Sequence, residues 1–180
     1  MNKRAFSIVE ILVVTGIIGM MIPIIFTVLY AIIRQEARIL ALTTVKNQGD
    51  YILNNLKFNV KNYAVGIHSG TPATDENAVC VTASAVSTVY NPLYLRDRAG
   101  NTFFYSVTSG AIASNSSVLA TPAPLNTDRV TISGLTMSCN RPTTFSSPIL
   151  TVSYTVNYVS SSGESPASLT YQTKIKLRNQ

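Results

Sequence analysis

From Phe6 the chain is apolar almost without interruption to Ile33, after which the same rhythm continues with polar residues worked into it. As a helix the first stretch would be about 42 Å long at 1.5 Å per residue, against roughly 30 Å of bilayer hydrocarbon, so it reads as a membrane-spanning helix over 6–33. Beyond Arg34, residues Leu42, Val45, Gly49, Ile52, Leu56, Val60 and Tyr63 recur every three or four positions, with Lys46, Asp50, Lys57 and Lys61 largely off that stripe. The spacing predicts an amphipathic continuation over 34–65, ended by Gly66 and the "HSGTP" turn at 68–72. Taken together, Phe6 to about Ala64 would measure roughly 88 Å. Its second half needs a surface to pack against.

The period then changes from 3.6 to two. "ILTVSYTVNY" at 149–158 alternates Leu150, Val152, Tyr154, Val156 and Tyr158 with Thr151, Ser153, Thr155 and Asn157, the pattern of a half-buried strand. "LTYQTKIKL" at 169–177 does the same, and the polar "SSSGESPAS" at 160–168 reads as a hairpin loop between the two. Earlier strands are expected over Ala78–Thr82, Leu93–Arg96, Thr102–Val107 and Arg129–Cys139. Val130 and Ile132 share a parity that Leu135, Met137 and Cys139 do not, so Gly134 marks a bulge or a strand break. The predicted fold class is α+β: one long N-terminal helix packed on a mostly antiparallel β-sheet, with residues 66–180 forming a β-rich domain.

One carboxylate complicates the apolar stretch. Ile11 to Ile33 contains no charged residue, yet Glu10 stands just before it. A charge in a spanning helix is costly and persists where it has a partner or a task. The helix also carries a weak point at Gly19 and Pro23: proline has no amide hydrogen, so the Gly19 carbonyl loses its helical partner, and a hinge or kink is expected there. Thr15 and Gly19 form a small-xxx-small face suited to close helix packing.

Charge and cysteine usage narrow the setting. The net charge is +6, of which Lys3 and Arg4 precede the apolar run. The rest of the Lys and Arg are scattered, except that Lys174, Lys176 and Arg178 alternate along a predicted strand; a solvated strand face is the plainer reading of these three, and a DNA-binding stripe the alternative. Basic residues flank both ends of the apolar helix, so the positive-inside rule leaves orientation undecided. The Ser/Thr-rich strands and the two cysteines suit an exported domain. Cys80 and Cys139 are the only cysteines. In an oxidising compartment they are expected to pair, the alternative being two free buried thiols.

"MNKRA" followed by "FSIVEILVVTGIIG" resembles the N-terminal class III signal of type IV prepilins and type II secretion pseudopilins: a short basic leader, a Phe, a Glu at the fifth position counted from that Phe, and an unbroken apolar helix. The resemblance implies a leader at 1–5, cleavage between Ala5 and Phe6 by a prepilin peptidase on the cytoplasmic side, and methylation of the new Phe6 amine. The family usually has Gly before the cut; Ala5 is small as well. It further implies that Glu10 pairs with the N-terminal amine of a neighbouring subunit as a filament grows. The competing account of Glu10 is stabilisation by the positive end of its own helix.

A looser resemblance, to J-type minor pseudopilins and related minor pilins, is carried by "LYLRDRAGNTFFYSV" at 93–107, "APLNTDRVTISGLTM" at 123–137 and "TKIKLRN" at 173–179. The K-type tip subunit lacks the carboxylate that Glu10 supplies. The implied partners are the peptidase, other pilin or pseudopilin subunits, an inner-membrane assembly platform and membrane lipid. The implied location is the cytoplasmic membrane, single-pass with the N-terminus inside, and then a pilus or pseudopilus. The rival expectations are a membrane-anchored envelope binding protein that never polymerises, and a minor pilin that captures DNA.

Catalytic chemistry is thinly represented. His68 is the sole histidine and is expected in a loop, as are the adjacent Asp75 and Glu76. No metal-ligand spacing, G-x-S-x-G elbow, phosphate loop or dinucleotide fingerprint occurs, so neither a cofactor nor an enzymatic role is expected.

Overall fold

The structure, a computed structural model, describes residues 7–90, 92–118, 121–159 and 167–177. The chain divides into two units, one reaching to Leu40 and one starting at Ala41. Helix α1 spans Ile8–Tyr63 and contributes to both.

In the first unit α1 begins where the Ser7 carbonyl accepts the amides of Glu10 (3.0 Å) and Ile11 (3.3 Å). Gly19 and Pro23 lie within continuous helix. The two threonines of this stretch turn back on the backbone: Thr15 Oγ1 donates to the Ile11 carbonyl (2.9 Å) and Thr27 Oγ1 to the Pro23 carbonyl (2.8 Å). Such i to i−4 bonds leave neither threonine hydroxyl needing water, which suits an apolar surrounding. Most of the large side chains here are more than half exposed, among them Ile8, Leu12, Met20 and Phe26.

In the second unit, nine strands among the described residues form two antiparallel sheets. They are β1 (Gly66–His68), β2 (Ser84–Tyr90), β3 (Tyr94–Arg96), β4 (Thr102–Thr108), β5 (Ala111–Ser116), β6 (Ala123–Pro124), β7 (Val130–Arg141), β8 (Ile149–Tyr158) and β9 (Ser168–Lys176). The first sheet is ordered β1-β3-β4-β5-β6 and the second β2-β7-β8-β9. The core joins the helix stripe to both: Val45, Ile52, Leu56 and Val60 are fully buried with Leu95 and Ile112 of the first sheet and Leu150, Val152 and Val156 of the second. Each aliphatic side chain so buried contributes about 1.5–3 kcal/mol before conformational entropy is counted.

The stripe is seated from Ala41 onwards; Leu42 is half-buried and Tyr63, at the helix end, is exposed. β8 and β9 pair in register from Ile149 opposite Lys176 to Asn157 opposite Ser168, as their alternation predicts. Their connecting loop lies mostly outside the described residues. Gly134 is the expected bulge: its φ is +63, and the register against β8 shifts between Ser133 and Thr136. That extra residue lets Val130 and Ile132 before it, and Met137 and Cys139 after it, all face the core.

Three corrections follow. The strand expected over Ala78–Thr82 is not formed; Ala78 makes only an isolated bridge to His68, and the strand starts later, at Ser84. Cys80 explains the delay, because its φ of +59 turns the backbone out of any ladder. His68 is not in a loop but in β1, 3% exposed, with Nδ1 3.0 Å from the Thr74 carbonyl. β1, β5 and β6 are additional strands. β4 and β5 are joined through Ser109 and Gly110, both with positive φ (52 and 79), the two-residue hairpin whose twist matches its strands. The Gly110 carbonyl then accepts the Ile132 amide at 2.8 Å, tying this hairpin to β7 of the other sheet.

Candidate functional site

Two features bear on function: the exposed apolar first part of α1, and the seat that holds its continuation. α1 is long and apolar enough to cross a membrane. Glu10 lies in its first turn with its side chain exposed, and it has no ion-pair partner among the described residues. Ala5 and Phe6, the expected cleavage and methylation positions, lie outside the described residues, as does Arg178. Tyr30 and Arg34 lie one turn apart, the guanidinium 4.5 Å from the ring centroid. This cation–π pair places an aromatic and a charge at the end of the uncharged stretch.

The seat is built around Gly49. Tyr154 from β8 donates its hydroxyl to the Gly49 carbonyl (2.8 Å), and Tyr171 from β9 donates to the Lys46 carbonyl (3.0 Å). The rings, which belong to cross-strand partners, stack with centroids 5.5 Å apart and planes within 10°. A Cβ at position 49 would overlap the Tyr171 ring, so only glycine lets helix and tyrosine approach this closely. On the other sheet Asn59 donates to the Tyr105 hydroxyl at 3.0 Å. Burial pushes all three phenols above their ordinary value, most strongly Tyr154, with the Asp50 carboxylate adding to the effect at Tyr154 and Tyr171. They therefore stay protonated, and Tyr154 and Tyr171 stay donors to the helix backbone, throughout the physiological range.

This seat makes a mutational prediction with a decisive sign. Helix propensity alone would have Gly49→Ala stabilise by about 0.5–1 kcal/mol. Swinging the Tyr171 ring aside would break its stack and its hydrogen bond, and overpacking of this kind costs about 1–3 kcal/mol. Gly49→Ala is expected to lower stability by about 1 kcal/mol or more in denaturant unfolding. Truncating the clashing side chain with Tyr171→Ala in the same chain should couple favourably to it in a double-mutant cycle.

Of the other residues singled out by sequence, Cys80 and Cys139 are joined in a disulfide with Cα atoms 6.2 Å apart. Lys174 and Lys176 both lie exposed on the outer face of β9, opposite the buried Ile175. Asp75 and Glu76 sit in an exposed single turn, Asp75 only 3.9 Å from Arg96. Among the described residues no group of three or more His, Cys, Asp or Glu side chains could hold a metal ion. The stripe pattern had marked Gly49 as one apolar position among seven; that it is the point of closest approach follows from the tyrosines across the sheet. No protein-family model matches the chain, and no curated protein or solved structure matches it either.

Proposed function

We propose that this protein is a structural minor subunit, prepilin-like, of a type IV pilus or type II secretion pseudopilus. A prepilin peptidase cuts between Ala5 and Phe6, and the mature chain is built into a filament through α1. Glu10 there meets the Phe6 amine of a neighbouring subunit, so that neutralisation of a costly membrane charge and assembly are one event. The observation that carries the reading is the spacing in "MNKRAFSIVE": a basic leader, a Phe, and a carboxylate at the fifth position from it, opening a helix that exposes its apolar residues as far as Leu40.

Three further features support the same reading. The helix goes on past its apolar part to be seated on antiparallel sheets, as the long helix of a pilin-like α+β fold would be. The disulfide suits export. The helix face of small residues at Thr15 and Gly19 suits close packing between helices.

Co-expression of the full chain with a prepilin peptidase, followed by N-terminal sequencing and mass measurement, tests the reading. The expected product starts at an N-methylated Phe6. An intact "MNKRA" leader under those conditions would instead support a plain membrane anchor.

A further inference from the structure

Residues from both sheets of the second unit border an open cleft of about 740 Å³, a size within the range of ligand sites. β1 and the end of β3 line one side; the end of β7 and the loop after it line the other. Three arginines far apart in sequence converge on it: Arg96, Arg98 and Arg141. Their engagements differ. Arg141 donates from Nε to the Ser146 carbonyl (2.8 Å) and from Nη1 to the Val81 carbonyl (2.7 Å), so it braces the walls. Among the described residues the Arg96 guanidinium has only the long contact to Asp75, whose carboxylate is fully solvated, an arrangement that holds it weakly. Arg98 is exposed and has no partner among the described residues.

The remaining acid of the cleft has its hydrogen bonds elsewhere. The Asp97 carboxylate accepts the backbone amide of Asn101 (2.7 Å) and its side-chain amide (3.1 Å), closing its own turn. Beside the arginines stand two apolar side chains with little cover: Phe145, 93% exposed, and Val81, 56% exposed. Aromatic and arginine side chains are the residue types enriched at protein interfaces, and here they stand side by side, bare and loosely held.

We propose that this cleft binds an extended acidic peptide segment of a partner protein, with Arg96 and Arg98 taking a carboxylate and Phe145 and Val81 covering a neighbouring apolar side chain. Guanidinium and carboxylate match in planar geometry and charge, which gives such a contact its strength. A nucleic acid fits less well: its affinity grows with the number of phosphates neutralised, and with Arg141 bonded to the walls only Arg96 and Arg98 are loosely held, enough for one carboxylate and too few to track a phosphate backbone. The site is independent of Glu10 and of filament growth, so failure of either proposal leaves the other standing.

The test uses the full chain in detergent micelles and a fluorescein-labelled peptide of alternating glutamate and leucine, blocked at both ends, followed by anisotropy. The peptide should bind at low salt, and its glutamine counterpart at least about tenfold more weakly. Arg96→Gln with Arg98→Gln should cost the acidic peptide a similar factor, whereas Arg129→Gln, exposed and outside the cleft, should cost nothing. Absence of binding at low salt, equal binding of the two peptides, or indifference to the paired substitution would overturn the proposal. Tighter binding of a single-stranded oligonucleotide than of the acidic peptide would overturn it as well. The comparison of peptides on the unaltered chain decides the matter even where a variant folds poorly.

Discussion

Glu10→Ala is expected to leave the chain inserted in the membrane and to reduce its incorporation into filaments by roughly a hundredfold, the order set by the cost of an uncompensated charge in hydrocarbon. Insertion should survive because the apolar run from Ile11 onwards is untouched and removing a charge only makes the helix easier to embed. On the proposed pairing mechanism, assembly should fail because the amine of Phe6 on the adjoining subunit would be left unpaired within the filament. Glu10→Gln separates charge pairing from hydrogen bonding: it keeps the shape and a polar tip but not the charge, and is expected to behave nearly as badly as alanine. Glu10 has a second physical account, stabilisation by the N-terminal end of its own helix, where Ser7 starts the hydrogen-bond ladder. On that account both variants would weaken the first turn and still be incorporated. The measurement is the amount of variant subunit in sheared filaments relative to the amount in the membrane, and equal ratios for parent and variant would count against the pairing mechanism.

What could be read from sequence, and what could not, follows from how far apart the determining contacts lie. The stripe from Val45 to Val60 was legible because a helix with one buried face repeats every three or four residues whatever lies across from it. β8 and β9 were legible for the matching reason, alternation on a sheet with one covered face. The bulge at Gly134 could be located to the residue, since the burial parity on either side of it disagrees. β5 is the opposite case. "AIASNS" has little strand propensity of its own and becomes a strand through its partners: β4 on one edge, and on the other the short β6 together with Asn126, whose Oδ1 accepts the Ile112 amide at 2.8 Å in place of a strand backbone.

The segment Ala78–Thr82 misled in the other direction. "AVCVT" is as good a strand by composition as any in the chain, and it is the link from Cys80 to β7 and the left-handed turn at that residue that take it out of the sheet. The arginines of the cleft were illegible for a simpler reason. Arg96 and Arg98 meet Arg141 only because β3 ends in one sheet where β7 ends in the other, and no local pattern records that meeting. Glu10 stands apart from all of these. Its partner is not expected within its own chain, so the spacing from Phe6 carries what the fold of one subunit does not.

Removing the disulfide should have the largest effect on the stability of the second unit. Cys80→Ser together with Cys139→Ser opens a loop with a sequence separation of 59, and on the chain-entropy account a loop of that length is worth about 4 kcal/mol. At about 2–4 °C per kcal/mol for chains of this size, the midpoint of thermal unfolding should fall by roughly 10 °C. The native side of the balance points the same way. Cys139 is buried in β7, paired with β2 on one edge and β8 on the other, and gives the bond a firm anchor. Cys80 sits in a conformation that non-glycine residues avoid and is held, apart from the bond, by neighbours with few contacts: the Val79 amide to the Ile67 carbonyl (2.9 Å) and the Val81 carbonyl to Arg141 (2.7 Å). Without the bond this stretch is expected to relax first, showing faster amide exchange over 78–82 while β7, β8 and β9 keep their protection. Because Cys80 and Val81 also line the arginine cleft, loosening here should weaken acidic-peptide binding in the same variant. A midpoint lowered by less than about 2 °C, with exchange over 78–82 unchanged, would mean that the hydrogen bonds alone fix this segment and that the bond does little for the folded unit.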